Sequence, residues 1–378
     1  MSDTSKVSLP TLPVEVVYRI LDRLDIITIL CTVCNVCQRL NKIIYSYERY
    51  QVLTTVNLRN TRISNSETFI LADALKTNTA LKTLILSVNE IGDEGVKHLA
   101  GTLRNNTALT ELYLVSNKIG EVGAEYLADM LQHNTGLVTL HLSCNQIKDN
   151  GIKHLADALQ VNEKLTILDL QKNYIGCEGA QHLANALRNN TTLVELNING
   201  NHVGYQGAQY FADVLLHSST LRILHIGNNK IRFDGLKALA DMLRTNKMLH
   251  TLDIGGNHIS DKERQYLDAE EACRLDDEQA RRLEDVQARY MAFLRTQYVT
   301  MARAPRLDNA QARYTAGEET RDPNDEAVRY LAAALQENST LIELELEFSE
   351  VTDKMAIDLD ELLERNERLT NINTDNRE

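Results

Sequence analysis

Apolar and polar positions recur in this chain with a period of 28 residues, without a gap, from Leu53 to Met248. The unit from Leu81 to Ala108, LKTLILSVNEIGDEGVKHLAGTLRNNTA, shows the pattern in full. Leu84 and Leu86 follow a period of two behind Leu81, which predicts a short half-buried strand. Val96, Leu99, Ala100 and Leu103 then fall on one face of an amphipathic helix. One strand and one helix cannot bury those faces alone, but stacked copies can. Units start at Leu53, Leu81, Leu109, Leu137, Leu165, Leu193 and Leu221, and an eighth opens at Leu249. The fixed period predicts an α/β solenoid over residues 53–261.

The spacing L-x-x-L-x-L-x-x-N-x-I-G, followed by G-x-x-x-L-A-x-x-L-x-x-N, resembles the ribonuclease-inhibitor-like class of leucine-rich repeats. The resemblance implies parallel strands lining a concave face and helices forming a convex back. It also implies protein binding, while the fold alone names no partner.

Positions that recur through most of the array read as architecture. Asn89, Asn117, Asn145, Asn173, Asn201, Asn229 and Asn257 follow the strands and suit a ladder that satisfies turn backbone groups. Gly95, Gly123, Gly151, Gly179, Gly207 and Gly235 mark helix entry, where a side chain would obstruct adjacent turns. His98, His154 and His182 share their helical position with Tyr126 and Tyr210, as half-exposed stacking residues would.

Positions that do change are the candidate site. The residue between the two strand leucines points into the concave face because side chains alternate. In order these are Asn57, Ile85, Tyr113, His141, Asp169, Asn197, His225 and Asp253. Two residues further on lie Arg59, Ser87, Val115, Ser143, Gln171, Asn199, Gly227 and Gly255. The face is apolar and aromatic near Ile85 and Tyr113 and polar beyond, which suits a protein partner anchored by Tyr113. Ile85, Tyr113, His141, Asp169, Asn197 and His225 are the expected contacts. His141 beside Asp169, and His225 beside Asp253, should lie one strand apart, ~4.8 Å. A metal or acid–base pair is conceivable there, but no nucleophile or cofactor motif converges on this open surface.

Ahead of the array, residues 1–11 are polar, and residues 12–50 suggest three short helices. Leu12, Pro13 and Glu15, then Ile20, Leu21, Leu24 and Asp25, then Val36, Cys37 and Arg39 resemble an F-box. That resemblance implies a small ligase adaptor bound through Leu12, Pro13, Val16, Ile20 and Leu21. A helical cap over the first repeat explains the same apolar residues, and both roles can hold together. Cys31, Cys34 and Cys37 suit one helix face, but no fourth ligand lies nearby, so small buried cysteines are expected rather than a metal.

The period breaks after Asp261. Leu249 and the next in-register start, Leu341, are 92 residues apart, which reads as two repeats plus 36 extra residues. Within the gap, 262–304 reads as a long charged helix with a stripe through Leu283, Val286, Tyr290, Leu294, Tyr298 and Met301. Residues 305–324 read as a linker, and 325–378 as further repeats and a cap, with Glu343, Glu345 and Glu347 on the concave side.

Net charge is −13 over 378 residues, which argues against nucleic acid or an anionic membrane as partner. No run approaches 18 apolar residues, and the N-terminus lacks an apolar signal core, so a cytoplasmic or nuclear location is expected. No cofactor and no enzymatic activity are expected. The favoured role is substrate receptor of a cullin–RING ubiquitin ligase, as the F-box resemblance implies. The alternatives are a leucine-rich-repeat scaffold or sensor, or a Ran-type GTPase activator, a class that shares these repeats and often ends in acidic sequence.

Overall fold

The computed structural model describes residues 54–76, 78–257, 323–345 and 362–366. Nine three-residue strands form one parallel sheet in chain order: β1 Thr55–Asn57, β2 Thr83–Ile85, β3 Glu111–Tyr113, β4 Thr139–His141, β5 Ile167–Asp169, β6 Glu195–Asn197, β7 Ile223–His225, β8 Thr251–Asp253 and β9 Glu343–Glu345. Helices alternate with them: α1 Asn65–Leu75, α2 Asp93–Leu103, α3 Glu121–Leu131, α4 Lys148–Leu159, α5 Cys177–Leu187, α6 Gly204–Leu215, α7 Arg232–Thr245 and α8 Pro323–Glu337. The solenoid of strand–helix units is therefore present. Its core lies between sheet and helices, where Leu84, Leu86, Val96 and Leu99 and their counterparts are buried.

The asparagine after each strand seals the turns. The Asn145 side-chain oxygen accepts from the Asn117 and Ile119 N–H groups at 3.2 Å each. Its amide donates to Leu114 and Leu142 carbonyls at 3.0 and 2.9 Å. One side chain thus pairs four backbone groups in a space water cannot reach. A second asparagine row closes the helix ends. Asn134 donates to the Leu103 carbonyl at 2.6 Å and accepts from Leu137 N–H at 2.7 Å. Asn190 and Asn338, which stand in glycosylation sequons, are buried members of this second row.

Helix entry depends on the preceding repeat. The Asp149 side chain accepts from Gly176 and Gly179 N–H at 2.6 and 3.1 Å, capping α5 from outside its own repeat. A Cβ at Gly179 would lie 2.4 Å from that same carboxylate oxygen, so the glycine is required there. Where the preceding repeat carries Glu121, Cys177 or Tyr205 instead of a short Asn or Asp, the next helix starts differently. Lys148, Gly204 and Arg232 then open their helices with positive φ. The N–H groups of Lys148 and Gly204 turn to the carbonyls of Asn173 and Asn229.

The end of the array corrects the repeat count. β9 pairs directly with β8, Thr251 opposite Glu343, although 92 residues separate them. Only one repeat is completed across that gap, not two, because α8 supplies the helix of the unit that β8 begins. Asn338 fills the helix-end row there, donating to the Leu243 carbonyl at 2.7 Å. The extra residues therefore interrupt a repeat between its strand and its helix. Pro323 opens α8, so residues 323 and 324 belong to a helix rather than to a linker; proline suits a first helical turn, where its missing N–H costs no bond. The F-box-like segment, the helix expected at 262–304 and Glu347 lie outside the described residues.

Candidate functional site

The strand register sets one residue per repeat into a row across the sheet. Asn57, Ile85, Tyr113, His141, Asp169, Asn197, His225 and Asp253 are successive partners from β1 to β8. Ile85 to His225 are half-buried, Asn57 is exposed and Asp253 is buried.

Three neighbours at the front of the row interlock. The Tyr113 and His141 rings stack at 4.4 Å, inclined by 10°. His141 Nδ1 lies 3.3 Å from Asp169 Oδ2. The Tyr113 hydroxyl donates to Glu111 Oε2 at 3.3 Å, and Thr83 Oγ1 donates to the same oxygen at 3.2 Å. Burial, and then the charge of Glu111, push the Tyr113 phenol up, so it stays protonated and acts as donor.

The far end is a closed polar network. Asn199 donates from its amide to Asp253 Oδ2 and accepts from Gly227 N–H at 2.6 Å, so the pair spans β7. A Cβ on Gly227 would stand 2.8 Å from Asp253 Oδ1, which explains the bare strand beneath the bridge. His225 Nδ1 lies 3.5 Å from Asp253 Oδ2, and its Nε2 is 3.9 Å from Glu195 Oε1. Burial alone pushes the Asp253 carboxyl up, but hydrogen bonds from His225, Asn199 and Gly255 N–H outweigh it and hold it below its usual range.

Both expected imidazole–carboxylate pairs therefore form, as parts of an open face. At its edge the Cys144 thiol is pushed up by burial, against the needs of a nucleophile. Among the described residues no group of three His, Cys, Asp or Glu side chains could hold a metal. A parallel row, two residues earlier on each strand, shares this face, and of its members only Glu343 is expected there from the sequence. It runs Thr83, Glu111, Thr139, Ile167, Glu195, Ile223, Thr251 and Glu343. The same alternation could have found it. Leu12, Pro13, Val16, Ile20 and Leu21 lie outside the described residues.

With this geometry in place, comparison with known families is decisive. An F-box domain matches residues 9–51, and a leucine-rich repeat matches residues 77–100, 105–128, 133–156, 161–184, 189–212, 217–240 and 245–262. The chain is an F-box protein with leucine-rich repeats. In this F-box protein the sheet extends past the matched repeats at both ends, through β1 and β9. A comparison with curated proteins finds no match. Among solved structures, actin-binding site 2 of leiomodin-1 is 26% identical, covering 39% of this chain and 74% of its own, with a TM-score of 0.27. The tropomodulin C-terminal domain from Caenorhabditis elegans is 12% identical, covering 66% of this chain and 97% of its own, with a TM-score of 0.32. Likenesses this distant say nothing of what the F-box protein binds. F-box and leucine-rich repeats are protein-interaction modules.

Proposed function

We propose that this F-box protein is the non-catalytic substrate-recognition subunit of a cullin–RING ubiquitin ligase of the SCF type. Residues 12–50 hold the small adaptor, and the concave sheet holds a protein substrate through Ile85, Tyr113, His141, Asp169, Asn197 and His225. The observation that carries this reading is adjacency. The F-box match ends at residue 51, and the first strand of the sheet opens at Thr55. An adaptor-binding module joined so closely to a binding sheet holds a captured protein at a set distance from the ligase. Such a subunit works in the cytoplasm and nucleus, and among the described residues no helix is long and apolar enough to cross a membrane.

Co-purification with the ligase adaptor tests the reading. Leu12→Asp combined with Ile20→Asp is expected to abolish adaptor capture while the repeats stay folded. Undiminished adaptor capture by the double variant overturns the proposal.

A further inference from the structure

Three carboxylates occupy one row of the concave sheet at every third strand. Glu111 on β3 is linked through Thr139 and Ile167 to Glu195 on β6. Glu195 is linked in turn through Ile223 and Thr251 to Glu343 on β9. Glu111 and Glu195 are half-buried and Glu343 is exposed, so none is part of the core. Their contacts orient them without a fixed positive charge. Thr83 and Tyr113 hydroxyls hold Glu111, the Thr251 hydroxyl donates to Glu343 Oε2 at 3.1 Å, and Glu195 has His225 at 3.9 Å. From β2 to β8 the three concave rows contain no Lys or Arg. On the outer turns and helices, Lys97 pairs with Glu94 and Lys118 with Glu90. A curved face lined by one sign of charge concentrates its field and favours ligands of the opposite sign.

We infer that the concave sheet takes an extended protein segment carrying basic side chains at every fourth position. Three strand spacings span ~14 Å, and an extended chain advancing ~3.4 Å per residue covers that distance in about four residues. An even separation also puts both side chains on the same side of the extended segment. A helical segment, rising ~1.5 Å per residue, would need about nine residues for the same span. Beside Glu111, Ile85 on β2 and the Tyr113–His141 stack on β3 and β4 offer apolar contact to the stems of long basic side chains. This inference rests on the concave sheet being the substrate site.

Fluorescence anisotropy of labelled glycine–serine peptides with the full-length protein tests it. Each peptide carries two arginines, placed three, four or nine residues apart at equal net charge. The four-apart peptide is expected to bind about five- to tenfold more tightly than the three-apart peptide, with the advantage shrinking in high salt. Glu111→Gln and Glu195→Gln keep a hydrogen-bond acceptor at each position, and each is expected to erase the advantage without moving the thermal midpoint. Equal binding at all spacings, tightest binding at nine, or an advantage that survives both substitutions overturns the inference. If Tyr113→Ala with Asp169→Lys still reduces capture of cellular partners, only the basic-segment inference has fallen. If that double variant captures them normally, the concave site itself is wrong.

Discussion

Asn145 and His141 stand four residues apart on the same strand-to-turn segment, yet only one of the two positions is free to vary. Asn145 is 2% exposed, and its hydrogen bonds run to backbone groups of its own and the neighbouring repeat. That backbone course recurs from repeat to repeat, and the same side chain recurs with it from Asn89 to Asn257. His141 is half-buried and pairs with other variable side chains, Tyr113 and Asp169. Its row changes from Ile85 to Tyr113 to His141 to Asp169 without disturbing the sheet. Repetition of a residue type thus marks a demand made by the backbone, and variation marks a surface available for recognition.

The contrast should break most severely at the ladder. Asn145→Ala strands the Asn117 and Ile119 N–H donors away from water, while the Leu114 and Leu142 carbonyls keep the Asn117 and Asn173 amides, and at ~1–3 kcal/mol per unsatisfied group we expect a loss of about 2–5 kcal/mol. Urea unfolding followed by circular dichroism measures it, and a loss under about 1 kcal/mol would show that the ladder is dispensable. Helix entry comes next. Gly179→Ala places a methyl 2.4 Å from Asp149 Oδ1 and 2.8 Å from Ile175 Cγ2, disturbing the cap of α5. Overpacking of this kind costs ~1–3 kcal/mol. An unchanged urea midpoint would mean that the neighbouring repeat gives way freely.

On the concave row the effect should move from stability to binding. Tyr113→Ala with Asp169→Lys is expected to weaken partner capture more than tenfold, as loss of a large aromatic anchor typically does at ~2 kcal/mol. Its unfolding free energy should change by under about 1 kcal/mol, a residue of cost remaining because Asp169 also accepts the Gln171 N–H at 3.0 Å. A large fall in stability would place this row in the architecture after all.

At His202, beside the ladder, the effect is absent near neutral pH and appears only in acid. Burial, and then Lys230, lower its imidazole to about 4, and its Nδ1 is buried without a partner. An unfolded histidine titrates near ~6.5, so between about 6.5 and 4 the unfolded chain binds more protons than the folded one. Stability should therefore fall as pH drops through that window. His202→Gln should flatten that part of the pH profile in thermal melts, and an identical profile would assign the acid sensitivity elsewhere.

Much of this arrangement could be read before the structure. The asparagine ladder, the entry glycines and the concave row from Asn57 to Asp253 each follow from a local period, and a period is visible in one dimension. The cross-repeat caps were less legible. Asp149 looks like an ordinary first-turn acid until Gly176 and Gly179 are seen to donate to it across 27 and 30 residues. The bridge from Asn199 to Asp253 was hidden for a similar reason, since it spans 54 residues and passes over a strand whose glycine reads as a mere gap in the row.

From the sequence alone come the 28-residue period, the F-box resemblance, the alternation of strand and helix, and which side chains face the open sheet. These are determined locally, because 3.6-residue and two-residue periodicities decide which face of each element is apolar. Tertiary structure alone decided which strand follows β8. Chain separation carries no information about hydrogen-bond partners, so a 92-residue gap is as compatible with two repeats as with one. Only the pairing of Thr251 with Glu343, and the seating of Asn338 beneath Leu243, show that the sheet continues unbroken and that Glu343 joins the row of Glu111 and Glu195. The physical reason is that backbone donors and acceptors on β8 must be paired, and the sheet satisfies them with whichever strand the fold delivers next.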